Sequence, residues 1–182
     1  MTNPLMSAWT TPYQTPPFDQ IETTHFRGAF DVALEQHRAE LTQIANNSEA
    51  ASFDNTVVAL ERSGLALRRV SMVFSQLTSA ATNDALQAVE RDVAVLLARH
   101  ESQMYLDANL FARIDALYQG RVSLGLDPEA LKVLERYHLD FVRAGARLGP
   151  DERARFAEIS ERLATLGTQF GQNVLAVGEL AQ

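Results

Sequence analysis

The chain has 182 residues, a formal charge of -7, no cysteine, 46% hydrophobic and 21% charged residues. A chain of this length buries roughly two-thirds of its unfolded surface in one domain, and this composition excludes general disorder. The missing cysteines exclude disulfide scaffolding, thiolate nucleophiles and Cys-type zinc sites, and the acidic balance excludes a global attraction to nucleic acid or anionic membranes.

Residues 1–22 form the first element. Met1 to Thr11 carry no basic segment followed by an apolar run, and no window approaches the roughly 18 apolar residues of a membrane span. An unexported, soluble and cytoplasmic chain is expected. Pro4, Pro12, Pro16 and Pro17 disfavour helix and bias their predecessors to extended geometry, so an extended arm is expected.

From there the punctuation is helical, and residues 23–182 are expected to form a single helical domain. Thr23 or Thr24 caps a segment running to about Asn46, with Phe26, Phe30, Ala33, Leu34, His37 and Leu41 at helical spacing. A second segment starts near Asp54 and carries Val57, Leu60, Leu67, Val70, Phe74 and Leu77 on one side. Val58, Leu65, Met72 and Val73 lie on others, which predicts a helix covered by several neighbours.

Thr82, Asn83 and Asp84 open a third helix with the stripe Leu86, Val89, Val93, Leu96, Leu97 and His100, ending near Tyr105. A shorter fourth runs over about Asn109 to Gln119, with Gly120 and Gly125 at its exit. Asp127-Pro128 starts a fifth, to about Arg147, because Asp accepts from the free amides and Pro at the first turn lacks an amide that would be unpaired anyway. Gly149-Pro150 repeats the pattern for a sixth. There Phe156, Ile159, Leu163, Leu166, Phe170 and Val174 alternate steps of three and four, a narrow seam for packing along another long helix. With no hairpin signal, the class is all-α: an irregular bundle of about six helices behind a Pro-rich arm.

Residues capable of chemistry are arranged without a recognisable centre. In His100-Glu101-Ser102-Gln103-Met104 a zincin would need a second histidine where Met104 stands, since two imidazoles four apart on a helix point at one metal. His25, His37 and His138 have no i, i+4 partner. The Glu158 with Glu161 and Asp151 with Glu152 pairs share their helix with Arg153, Arg155 and Arg162 and read as solvated charge pairs. Serines 63, 71, 75, 79, 102, 123 and 160 sit in no nucleophile elbow, and Gly145 and Gly149 belong to no phosphate loop. Gly167 and Gly171 open one helix face, which reads as tight packing or local flexibility. Of 16 basic residues only Lys132 is not arginine; interleaved with acids, the arginines read as a salt-bridged surface. No catalytic, cofactor-binding or metal-ligating residue is assigned, and no nucleic-acid or membrane partner.

The order of segments nevertheless resembles a known family. Asn3-Pro4-Leu5, Pro16-Pro17-Phe18-Asp19-Gln20-Ile21, His25-Phe26 and Glu35-Gln36-His37-Arg38 are followed by Phe53-Asp54-Asn55-Thr56 and Ala59-Leu60-Glu61-Arg62-Ser63-Gly64. Glu135-Arg136-Tyr137-His138-Leu139-Asp140-Phe141 and Phe170-Gly171-Gln172-Asn173 come next. Together they resemble the N-terminal helical region of the thimet oligopeptidase, oligopeptidase A and peptidyl-dipeptidase family; Ala176 to Gln182 look unlike its continuation. The resemblance implies a parent zinc metallopeptidase, helical and built around a deep channel, that cleaves short peptides. Its His-Glu-x-x-His helix lies beyond this region, so the resemblance implies an inactive, non-catalytic chain whose helices form channel wall. The implied partners are the missing C-terminal catalytic region and, for the parent, zinc and short peptides. The alternative is a stand-alone helical interaction module, and either reading leaves apolar surface that predicts self-association.

Overall fold

The computed structural model describes residues 3–180, and among them there is helix and irregular chain but no strand. Six helices carry the fold: α1 (Thr23–Ala45), α2 (Leu65–Ala80), α3 (Asp84–Tyr105), α4 (Ala108–Gln119), α5 (Pro128–Arg143) and α6 (Pro150–Leu180). The all-α expectation and the helix count hold. No helix among the described residues is long and apolar enough to cross a membrane.

The arm is less extended than the prolines suggest. The Asn3 carbonyl accepts from the amides of Met6 and Ser7 at 3.0 and 3.2 Å, which closes a turn, and Pro12–Gln14 form a single helical turn. The Asn3 side chain donates to the His25 carbonyl at 2.7 Å, and Trp9 Nε1 donates to the Pro4 carbonyl at 3.0 Å. These bonds seat Leu5, 1% exposed, among core residues. Pro residues disfavour a longer helix there but do not dictate an open strand, and apolar Leu5 is worth burying.

Helix ends follow their caps. Asp107 accepts from the Leu110 amide at 2.8 Å and Asp127 from the Ala130 amide at 2.8 Å, each satisfying a donor that has no partner in the first turn. Two expected helices end differently. The fifth stops at Arg143 rather than near Arg147, because Gly145 takes φ +94° and reverses the chain. The second is broken in two: a wide helical turn at Phe53–Val58 continues into Ala59–Arg62, and α2 starts afresh after Gly64 at φ +67°. The break changes which residues share a face. Val57, Leu60, Val70 and Phe74 are buried, whereas Leu65 and Met72 stay more than 60% exposed.

Gly64 is required twice over, by its left-handed backbone and by His37, whose ring lies 2.9 Å from where a Cβ would stand. Gly64→Ala is expected to cost about 2 kcal/mol, more than a helix-interior exchange, because an L residue strains at this φ while the ring must also move. Chemical denaturation reads the cost; a stabilised variant would show that the turn relaxes.

Contacts group the chain into two compact units, residues 3–37, 64–98 and 161–180 in the first and 38–63 and 99–160 in the second. The core of the first is Leu5, Phe26, Phe30, Ala33, Val70, Val73, Phe74, Leu86 and Val93. Phe74 meets Phe26 and Phe30 edge-on, with centroids 4.9 and 5.5 Å apart. The second unit is built on Leu41, Ile44, Leu60, Leu110, Ile114 and Phe141, with Val57, Leu117 and Leu134 as a smaller cluster. The α4 stripe Leu110, Ile114, Leu117 and the α5 residues Leu134 and Phe141 meet there, the three- and four-residue spacing placing each set on one face.

Candidate functional site

Within the second unit, α4, α5 and the turn after α5 bring together a group of polar side chains beside a cleft. His138, 7% exposed, lies with its ring parallel to Tyr118 at 3.7 Å and also stacks on Phe111 at 6.0 Å. Its Nε2 is 2.9 Å from Asp115 Oδ1, and Arg147 Nη2 reaches the same carboxylate oxygen at 3.5 Å. Beside the group opens a cleft of about 540 Å³, bordered by Lys132, Glu135, Arg136 and Arg147. The histidine–carboxylate pair has the geometry of a base with its orienting acid. No serine, threonine or cysteine borders the cleft, however, so the pair has no hydroxyl or thiol of that kind to activate, and the His138 ring is stacked against aromatic neighbours.

Burial opposes ionisation of Asp115, but hydrogen bonds from His138, Gln119 and Arg147 and the attraction of His138 outweigh that penalty, holding the carboxyl below its ordinary value. A carboxylate depressed on folding contributes stability above its unfolded pKa, and that contribution disappears as pH falls through the folded value, below about 4. Asp115→Asn is therefore expected to be less stable than wild type at neutral pH, the gap closing as pH falls below about 4. Urea unfolding at about pH 7 and about pH 3 measures the gap. A gap of constant size would mean that the ionised form is not what the fold uses.

Arg113 on α4 is the residue that reading the sequence missed. It is 9% exposed, and its guanidinium donates to the Asn47 and Glu49 carbonyls at 2.9 and 3.0 Å, to Asn55 Oδ1 at 2.7 Å and to Thr56 Oγ1 at 3.3 Å. Asn55 in turn closes a capping box with Ser52. The available signal was an arginine placed between Leu110, Ile114 and Leu117 on an otherwise apolar stripe. A cation at a core position demands a set of acceptors.

The other histidines stay apart. His25 Nδ1 accepts from the Glu22 amide at 3.0 Å, and His37 lies against Gly64. His100 is buried on α3 beside a small cleft bordered by Arg38, Gln103 and Asp107. Met104, one turn on, packs against the core of the second unit with Tyr105. A thioether and a single imidazole do not suit zinc, which takes imidazole, thiolate and carboxylate donors. Among the described residues no three His, Cys, Asp or Glu side chains are grouped to hold a metal. Glu158 pairs with Arg155 at 2.6 Å on exposed surface, and Glu152 accepts from the Gly149 amide at 2.9 Å as part of the α6 start.

In the first unit, Trp9, Phe18, Leu65, Met72 and Val73 line an apolar cleft of about 410 Å³. Arg69 stacks over the Trp9 ring at 3.8 Å and donates to the Ser7 carbonyl, while burial pushes its pKa down. The guanidinium is thereby engaged by the arm, and the cleft itself offers shape rather than reactive groups.

No protein-family model matches the chain. It is 44% identical over 178 residues to a dipeptidyl carboxypeptidase of Salmonella typhimurium, covering 98% of this chain and 26% of that protein. The dipeptidyl carboxypeptidase of Escherichia coli is also 44% identical, over 97% of this chain and 26% of its own length. Oligopeptidase A of Escherichia coli is 26% identical over 96% of this chain and 25% of its own length. The chain thus spans about a quarter of the curated relatives it matches.

Proposed function

From the homology of this chain to the N-terminal helical region of the thimet oligopeptidase, oligopeptidase A and peptidyl-dipeptidase family, we propose that it is the non-catalytic helical part of a zinc-dependent peptidase of the cytoplasm. The observation that carries this reading is the coverage: 98% of the chain aligns at 44% identity with 26% of a dipeptidyl carboxypeptidase. The role is architectural. Its helices form channel wall, and they restrict entry to short, unfolded peptides by size, so selectivity comes from steric exclusion. Peptide-bond hydrolysis would belong to residues elsewhere in the longer polypeptide, where zinc, when bound, would supply Lewis-acid chemistry.

The decisive experiment is expression of the complete polypeptide from the same reading frame, assayed with quenched peptides of increasing length and with a folded protein substrate. Cleavage of the short peptides, sensitivity to chelators and sparing of the folded substrate are expected, with no cleavage by the 182-residue chain alone. A complete polypeptide without peptidase activity would overturn the family function. One that digests folded and short substrates alike would overturn the channel-wall role.

A further inference from the structure

Helix α6 turns the wrong side to water. Between residues 161 and 177, all in the first unit, Glu161, Ala164, Thr165 and Thr168 are half-buried and Gln172 is 8% exposed. Gln172 is pinned by the Gln87 carbonyl at 2.9 Å, Glu90 Oε2 at 2.7 Å and Arg91 Nη1 at 2.6 Å. The small and polar side is thus the one used for packing within the unit. Leu163, Leu166, Phe170, Val174 and Val177 are 62, 44, 71, 56 and 67% exposed. At about 100° per residue these two sets lie on opposite sides of the helix.

The outward side is not a solvated surface either. From Leu163 to Val177 the sequence contains no Asp, Glu, Lys or Arg, whereas a helix face meant for water carries charge. Isolated exposed leucines are ordinary; a contiguous apolar row flanked by charge only at its Arg162 end marks a contact surface. Its steps of three and four residues form a strip one helix wide. Gly167 and Gly171 border the strip, and a Cβ at either would meet nothing within 4 Å. Of the two readings of these glycines, tight packing or local flexibility, the first finds no close neighbour among the described residues, and a neighbouring backbone has room to approach.

We propose that the Leu163, Leu166, Phe170 and Val174 face of α6 is the seat of a helix from the remainder of the longer polypeptide. The choice of occupant rests on the functional reading above: the relatives are about four times as long as the segment they share with this chain, so most of the parent's sequence is available to cover it. A second copy of the chain is the competing occupant.

Because the chain contains no cysteine, Leu166→Cys supplies one reporter thiol on the strip. Lys132→Cys, at a side chain 81% exposed, supplies the control. Each variant is made in the 182-residue chain and in the complete polypeptide, and maleimide labelling at that position is followed by mass spectrometry. The thiol at position 166 is expected to react about tenfold or more slowly in the complete polypeptide, while that at position 132 reacts at similar rates in both. Equal rates at position 166 would overturn the proposal and leave the peptidase reading standing. Protection that arises in the 182-residue chain on raising its concentration, with no further slowing in the longer one, would identify a second copy and overturn it too. A reading frame that encodes no peptidase motif would instead remove the functional reading itself, whatever the labelling shows.

Discussion

Arg113→Met is expected to lower the free energy of unfolding by about 3 kcal/mol, a large share of the stability of an ordinary domain. Methionine fills much of the same volume, so the loss comes from polar groups rather than from a cavity. Removing the guanidinium takes the donor from the Asn47 and Glu49 carbonyls, from Asn55 Oδ1 and from Thr56. Hydrogen bonds to a charged donor are worth more than neutral ones, and acceptors left facing a methionine keep their desolvation cost. The segment from Asn47 to Ser52 is irregular, and its other anchors are local: the Asn55 side-chain amide on the Ala50 carbonyl at 3.0 Å and the Glu49 amide on Asn47 Oδ1 at 2.9 Å.

Arg113→Lys should recover less than half of the loss, since an ammonium places its donors around one point and cannot span acceptors set around a planar fork. Urea unfolding of the three proteins measures the free energies, and limited proteolysis between residues 46 and 52 reads local opening. A loss below about 1 kcal/mol, with lysine equal to arginine, would mean that water satisfies the segment as well as Arg113 does.

The residues that made the family resemblance legible turn out to be pins of the fold. In Phe53-Asp54-Asn55-Thr56, Asn55 and Thr56 receive Arg113, and Ser63-Gly64 end that segment in the left-handed turn against His37. In Glu135-Arg136-Tyr137-His138, the Tyr137 hydroxyl donates to Glu61 at 2.8 Å and His138 meets Asp115. In Phe170-Gly171-Gln172-Asn173, Gln172 ties α6 to Glu90 and Arg91. A sequence reading registers such strings because each polar residue has a particular partner, but it cannot name the partner across a gap of 23 or more residues. For the same reason the Asp127 cap was legible, since its bond spans only three residues; the Asp107 cap, equally local, was missed because no proline follows it.

Periodicity was equally local in what it revealed. It marked where α1, α3 and α6 run, and it marked an apolar side on each, but it carried no information on whether that side meets the chain's own core. For α1 the apolar side is inward, with Phe26, Phe30, Ala33 and Leu34 at 1% exposure or less. For α6 the same alternation of threes and fours points outward. The break at Gly64 was hidden for a related reason: apolar residues continue through it, and only the backbone angle shows that the faces on either side differ.

Two phenylalanines therefore provide the sharpest contrast in expected stability. Phe30→Ala should cost about 4 kcal/mol, because the ring is wholly buried and packs edge-on against Phe74 at 5.5 Å, so truncation loses both transfer energy and contacts around a cavity. Phe30→Leu should cost only about 1.5 kcal/mol, since most of the volume is retained. Phe170→Ala in the same 182-residue chain should change stability by less than about 0.5 kcal/mol, as an exposed ring has little burial to lose. Thermal and urea unfolding of the three variants at low protein concentration, repeated at high concentration, measure these values. A Phe170→Ala cost approaching that of Phe30→Ala at low concentration would mean that the outward row of α6 is already covered within one chain. A cost that grows with concentration would place a second copy on it, because only association makes stability depend on protomer concentration.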